Sequence, residues 1–155
     1  MTASPASGLL FHTSLMVADL PSAMKTLSAE LGVRWTPVMG ATQRVWTEQG
    51  EIEVTLSLVY STKGPHRAEL VQEIPGTVWS TAPGQDVTVH HLGYWTDDLQ
   101  SDSAALVRQG APVVAVPVIK EGESPRSVYH RSALGPIVEL VSAETRGAMD
   151  RVWNA

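Results

Sequence analysis

The sequence predicts an α+β fold built from two tandem β-α-β-β-β modules. Three observations predict it. A histidine-led segment occurs twice, as HTSLMVADL from His12 and HLGYWTDDL from His91, with Asp seven and Leu eight residues after each histidine. Each half also closes on a glutamate inside an apolar run, Glu69 in AELVQ and Glu139 in VELVS. Between the halves, PGTVWSTAPGQ from Pro75 to Gln85 is rich in Pro, Gly, Ser and Thr and reads as a linker, after which the pattern restarts. Such internal duplication sets the architecture before any single element is assigned.

The elements follow in order. Leu9 to Val17 alternates from Phe11, with His12, Ser14 and Met16 on one face, and reads as a strand. Asp19 then caps a helix with Pro21 in its first turn; Leu20, Ala23, Met24, Leu27 and Leu31 form one stripe, and Gly32 stops it. Arg34 to Trp46 reads as a strand or two interrupted by Gly40. Glu51 to Tyr60 alternates strictly, STKGP turns the chain, and Arg67 to Ile74 is another strand. In the second half the strands are Val87 to Thr96, Pro112 to Ile119, Ser127 to His130 and Gly135 to Ser142, and Asp98 to Gln109 is a capped helix closed by Gly110. A short helix from about Glu144 to Trp153 ends the chain. The expected organisation is a loose tail over 1–8, one domain over 9–143 (module one 9–74, module two 86–143), and a C-terminal helix or tail over 144–155.

Composition narrows the chemistry. The chain has 155 residues, 43% hydrophobic and 17% charged, enough for one folded domain. Eleven Lys and Arg stand against 16 Asp and Glu, a net charge of −5 with no basic run, so the electrostatic footprint of a nucleic-acid or anionic-membrane partner is absent. Cysteine is absent, which excludes disulfides, thiolate zinc sites, iron–sulfur clusters and a cysteine nucleophile. The N-terminus has no basic residue followed by an apolar core, and the apolar stretches are strand-sized, so a cytoplasmic location is expected.

The paired histidine-led segments, with AELVQ and VELVS, resemble the vicinal oxygen chelate superfamily, which includes glyoxalase I, methylmalonyl-CoA epimerase, extradiol dioxygenases and bleomycin resistance proteins. The likeness runs from about Leu9 to Ser142, and HHLGYWTDDL and LGPIVELV are most similar to the epimerase and glyoxalase-like branch. The resemblance implies a curled mixed sheet around a cleft, helices outside, and a metal held by one residue from the first and last strand of each module. Carried over, these are His12, Glu69, His91 and Glu139. Two imidazoles and two carboxylates suit one divalent ion of Zn, Co, Ni, Mn or Fe, with open positions for two substrate oxygens. The ion would stabilise an enolate or enediolate on a small carbonyl substrate.

A single strand histidine is commonly a satisfied polar residue, and an edge-strand glutamate commonly faces water. Buried carboxylates at equivalent ends of two histidine-led repeats would be costly without a partner. Adjacent strand residues face opposite ways, so only one of His90 and His91 enters the cleft. Register with His12 selects His91 and sends His90 to the other face. Strand alternation puts Ser14, Met16, Thr55, Ser57, Trp95 and Tyr129 on the ligand face as pocket residues. Glu139 is the catalytic proton carrier, with Glu48 the positional candidate for the second glutamate that the resemblance implies and Glu53 behind it. HRSALGP offers Arg131 or His130 to position a substrate, and the favoured reading is a turn into the last strand. Val78, Trp79 and Trp153 are read as exposed, at an interface or over the sheet's outer face. A homodimer is expected by resemblance.

The functional expectation is a metal-dependent isomerase, epimerase or glyoxalase-like lyase. The alternatives are a metal-free drug-sequestering protein of the bleomycin-resistance kind and an Fe(II) extradiol dioxygenase. Glu69 as a fourth ligand argues against the latter, and full occupancy of the ligand positions argues against the former. No phosphate-binding glycine loop is present for a CoA nucleotide.

Overall fold

The computed structural model describes residues 9–155, so the tail expected over 1–8 lies outside the described residues. Module one comprises β1 (Leu10–Val17), α1 (Leu20–Leu31), β2 (Thr42–Thr47), β3 (Gly50–Thr55), β4 (Leu58–Tyr60) and β5 (Arg67–Gln72). Module two comprises β6 (Val87–Thr96), α2 (Leu99–Arg108), β7 (Val113–Pro117), β8 (Ser127–Arg131) and β9 (Ile137–Ser142), and α3 (Arg146–Trp153) follows. The strands form one nine-stranded mixed sheet in the order β3-β2-β7-β8-β9-β6-β1-β5-β4. No helix among the described residues is long and apolar enough to cross a membrane.

A pseudo-twofold relation runs between the central strands. β1 and β6 pair antiparallel, β5 lies parallel beside β1, and β9 lies parallel beside β6. The outermost strands, β3 and β4, are consecutive in the chain, so the sheet curls until its two flanks meet. Gly40 marks the break before β2. Its φ is 139°, and a Cβ there would lie 1.9 Å from the Leu56 carbonyl oxygen, so only glycine fits.

The helices sit where their apolar stripes direct them. Asp19 caps α1 by accepting the Ser22 N–H at 2.7 Å, and Gly32 closes it in the left-handed region. The stripe of α1 covers Val17, Val59 and Leu70 on the outer surface of the sheet, each such burial contributing about 1.5–3 kcal/mol. Asp98 caps α2 in the same way, accepting the Ser101 N–H at 3.0 Å. Buried His130 points outward to α2, with Nε2 2.9 Å from the Ser103 hydroxyl and Nδ1 2.9 Å from the Ala111 carbonyl, a fastening of helix to sheet.

Several sequence expectations are corrected here. Glu51–Tyr60 is not one regular strand but β3 and β4, bent at Leu56–Ser57. Along it Ile52, Val54, Leu56 and Leu58 turn inward, packing with Met16. Thr55 therefore faces solvent, bonded to Thr42, and Ser57 sits against α1 residues outside; neither lies on the ligand face. The interior is apolar, so the nonpolar half of the alternation takes it. Trp79 is not exposed either: the linker folds into one end of the curled sheet and seats the indole there, 2% exposed, against Met16, Val45 and Val54. Trp153 likewise is buried, α3 carrying it into the opposite end against Phe11, Tyr60 and Trp95.

Candidate metal centre

The four residues picked out by the repeat converge between those two plugs. His12 and His91 come from the central antiparallel pair, Glu69 and Glu139 from the strands flanking it. The two Nε2 atoms are 2.9 Å apart. Glu69 Oε2 lies 3.6 Å from His12 Nε2 and 3.1 Å from His91 Nε2; Glu139 Oε2 lies 3.3 and 3.2 Å from the same atoms. All four residues are buried. His12, Glu69 and His91 by themselves form a cluster whose ligand atoms lie within 4.8 Å of one another, a group that could hold a metal ion.

The donor set fits a divalent cation. Two metal–ligand bonds of about 2.1 Å meeting at roughly 90–110° hold their donor atoms about 3.0–3.4 Å apart. The observed spacings cluster around that range. Glu69 Oε2 is moreover a buried carboxylate oxygen with no hydrogen-bond partner, which an ion at the shared focus would satisfy.

Two local features aim the histidines. At Gly93, opposite His12 in the β1–β6 register, an added Cβ would lie 2.0 Å from His12 Cε1 and 2.2 Å from Nδ1. The imidazole thus lies flat on bare backbone. The second feature overturns an expectation. Ser14 pairs with His91 and Leu15 with Val89, so β6 carries His90 as an extra, bulged residue. A bulge places two successive side chains on one side of the sheet. His90 accordingly stands inside beside His91, Nδ1 to Nδ1 at 2.9 Å, and does not face the other way.

Each carboxylate also has a tyrosine. Tyr60 is the register partner of Glu69 and Tyr129 of Glu139, and their rings stand edge-on to His12 and His91 at 5.7 and 5.1 Å. Burial first, then the two carboxylates, push both phenols well above their usual range, so they remain hydroxyl donors toward Glu69 and Glu139. Tyr60 was missed in the sequence. Its signal is the repeat of Val-Tyr ahead of Glu-Leu-Val in both halves, Val59-Tyr60 and Val128-Tyr129.

Other expected site residues fall as follows. Met16 and Trp95 face inward but as packing, Trp95 stacked on Phe11 at 3.8 Å. Ser14 is fully buried beside His91, and its hydroxyl has no hydrogen-bond partner. Glu48 lies at the rim of a cavity of about 530 Å³, its carboxylate 2.6 Å from Arg131 Nη2. Thr77, Val78 and Ile137 line the same cavity, and Glu139 follows Ile137 by two residues on the inward face of β9. A larger depression of about 730 Å³ between α2 and β8 lies outside the curl and holds none of these residues.

Charge within the cluster is set by competition. Burial pushes the Glu69 carboxyl up, but the neighbouring His12 and His91 imidazoles outweigh it and hold Glu69 at about 2. Burial of Glu139 is likewise outweighed by hydrogen bonds from His12 and His91, leaving it well below the carboxylate range. Burial pushes His91 down, yet its bonds to Glu139 and Glu69 raise it to about 9. For His90, burial and the neighbouring His91 act together and lower it to about 4, so it is neutral.

These shifts predict a pH profile for the metal-free chain. The Glu69 contribution is complete above 4.5 and is lost as pH falls through about 2. The His91 contribution is complete below 6.5 and is lost as pH rises through about 9. Chelator-treated protein should therefore be most stable near pH 6.5, losing melting temperature toward pH 9 as His91 deprotonates and toward pH 4 as the unfolded chain alone protonates His90. A flat profile to pH 9, or the same slope in His91→Gln, would contradict the buried charge pairing.

With the geometry established, comparison with known proteins adds a family. A model described as the glyoxalase/bleomycin resistance protein/dioxygenase superfamily matches residues 11–130. Among solved structures, methylmalonyl-CoA epimerase from Mycobacterium tuberculosis is 18% identical, with 96% of each chain covered and a TM-score of 0.61. A Streptomyces coelicolor methylmalonyl-CoA epimerase variant in complex with 2-nitronate-propionyl-CoA is 16% identical, covering 86% of this chain and 95% of that one, TM-score 0.55. A mutant 4-hydroxymandelate synthase from the same organism is 18% identical over 86% of this chain and 38% of its own, TM-score 0.58. These similarities establish a shared fold. A search of curated proteins returns no match.

Proposed function

The chain belongs to the glyoxalase/bleomycin resistance protein/dioxygenase superfamily, and we propose that it is a divalent-metal-dependent enzyme moving a proton next to a substrate carbonyl, as in epimerisation. One observation carries the reading: two imidazoles and two carboxylates from four different strands meet at a single buried focus. His12, Glu69, His91 and Glu139 would hold the ion. When bound, it would supply Lewis-acid stabilisation to negative charge developing on a substrate oxygen.

The chain's own residues do the rest. The cavity beside Ile137 takes the substrate, its apolar walls Ile52, Val78 and Val114 excluding water. Glu48 lines it, and Glu139 follows its wall residue Ile137 by two along β9, so a substrate reaching from this cavity to the centre would meet both carboxylates. Such a pair removes a proton from one face of a carbon and returns one to the other. Arg131 holds Glu48 in place through an Nη2–Oε2 contact of 2.6 Å. The solved epimerases with CoA ligands support CoA thioesters as the first substrates to try.

The test is solvent exchange. Cobalt-loaded protein in D₂O is offered methylmalonyl-CoA and a panel of small 2-substituted carbonyl compounds, and loss of the α-proton signal is followed by NMR. At least one compound should exchange on the order of a thousandfold faster than with chelator-treated protein, each catalytic group contributing about 10²–10⁴-fold. Metal uptake with no exchange on any compound would sink the enolate reading. Oxygen consumption by the iron form on a catechol would replace it with the dioxygenase.

A further inference from the structure

The two modules hold their histidines differently. His12 Nδ1 is buried and has no hydrogen-bond partner among the described residues. His91 Nδ1 has one, His90 Nδ1, and His90 Nε2 in turn lies 2.6 Å from the Val78 carbonyl oxygen in the linker. This relay runs in one sense only. A carbonyl oxygen can only accept, so His90 Nε2 carries the hydrogen. An ion held on His91 Nε2 takes the lone pair of that atom and leaves the hydrogen of His91 on Nδ1. The Nδ1–Nδ1 contact is then a hydrogen bond from His91 to His90, whose Nδ1 accepts because the His90 hydrogen is committed to Val78.

The next linker residue reaches the other ligand of module two. The Trp79 indole N–H donates to the Tyr129 hydroxyl, and Tyr129 donates to Glu139. The Trp79 and Tyr129 rings meet edge-on at 5.8 Å. Consecutive linker residues thus end two chains of hydrogen bonds, one from each module-two ligand. No hydrogen bond of this kind holds the ring of His12.

We propose that His90 is a positioning residue of the centre, locking His91 with Nε2 toward the ion and referring that lock to the seating of the inter-module linker at Val78. The inference rests on the metal-dependent reading above, and it accounts for a bulge that would otherwise bury a second histidine in an apolar interior. The bulge is what brings His90 round to where its Nδ1 can accept.

The experiment has two parts. In the metal-free ¹⁵N-labelled chain, long-range ¹H–¹⁵N correlation spectra should show His90 neutral with its hydrogen on Nε2. The Nδ1–H pattern would overturn the relay. Zinc affinity is then measured by competition with a chromophoric chelator. His90→Leu should weaken zinc binding about 10–100-fold, the usual range for an orienting partner of a metal ligand. His90→Asn, whose amide oxygen replaces the Nδ1 acceptor, should recover at least about a tenfold share of that loss. Wild-type affinity in His90→Leu, or equal weakening in both variants, overturns the proposal, the second because it marks a packing role. If His90→Leu fails to fold, the tautomer and the Asn variant still decide. If wild-type protein takes up no zinc, the metal reading fails, and the His90 tautomer still upholds or overturns the relay.

Discussion

His12→Ala and Glu139→Gln should each reduce bound divalent metal from about one ion per chain to none, with affinity falling more than about a hundredfold. The two variants attack the centre from different modules and with different chemistry. His12→Ala deletes a nitrogen ligand whose ring is fully buried. Glu139→Gln keeps the shape but removes the charge that faces both Nε2 atoms at 3.2–3.3 Å. Elemental mass spectrometry on untagged protein purified without chelator reads the result, and circular dichroism confirms that the variants fold. An ion retained by both variants would mean that the four residues form a buried charge cluster and nothing more. Glu69→Gln, run alongside, separates chemistries. Its carboxylate is 3.1 Å from His91 Nε2, as near as that of Glu139, so it should lose metal equally. Retention of iron in that variant alone would mark a three-ligand centre and revive the dioxygenase.

Gly93→Ala should damage the centre directly through the His12 ring. The new Cβ would stand 2.0–2.6 Å from three atoms of the His12 ring. That ring has nowhere to retreat, with Phe11 at 4.4 Å, His91 at 5.0 Å and Tyr60 at 5.7 Å between ring centres. Either His12 leaves its line with the other three ligands or β1 and β6 move apart. Overpacking of this kind costs about 1–3 kcal/mol, and a ligand displaced by an ångström binds metal poorly. The expected result is a melting temperature lower by several degrees, roughly 2–4 °C per kcal/mol at this size, with metal affinity down at least about tenfold. Gly93 has no positive φ, so the effect isolates sterics from backbone strain. Ser14→Ala is the control at the equivalent position of module one, two residues after its histidine. There the Ser14 hydroxyl already lacks a partner, and its loss should be nearly neutral. Equal behaviour of the two variants would mean that His12 does not depend on its glycine bed.

What the sequence determined by itself is whatever local pattern and repetition encode. The order of strands and helices, the Asp19 and Asp98 caps, the break at Gly40 and the four converging residues are all legible from period, spacing and duplication. His12, Glu69, His91 and Glu139 were readable because a buried polar residue at the same place in two repeats is improbable without a shared purpose. Tertiary structure alone decided the rest. Strand alternation assumes a regular pleat, and the β6 bulge breaks it, so His90 turned inward against the rule that assigned it outward. The linker's Pro, Gly and Ser content says only that it is irregular, and nothing local reveals that Trp79 would fill one end of the curled sheet. Strand alternation alone puts Thr55 and Ser57 on the ligand face, whereas closing the sheet into a curl makes the inner face the one shielded from water and gives it to Val54, Leu56 and Leu58. Each miss has the same physical cause. Which face is inside, and what fills it, depends on contacts between residues far apart in the chain, and these exist only once the whole sheet has closed.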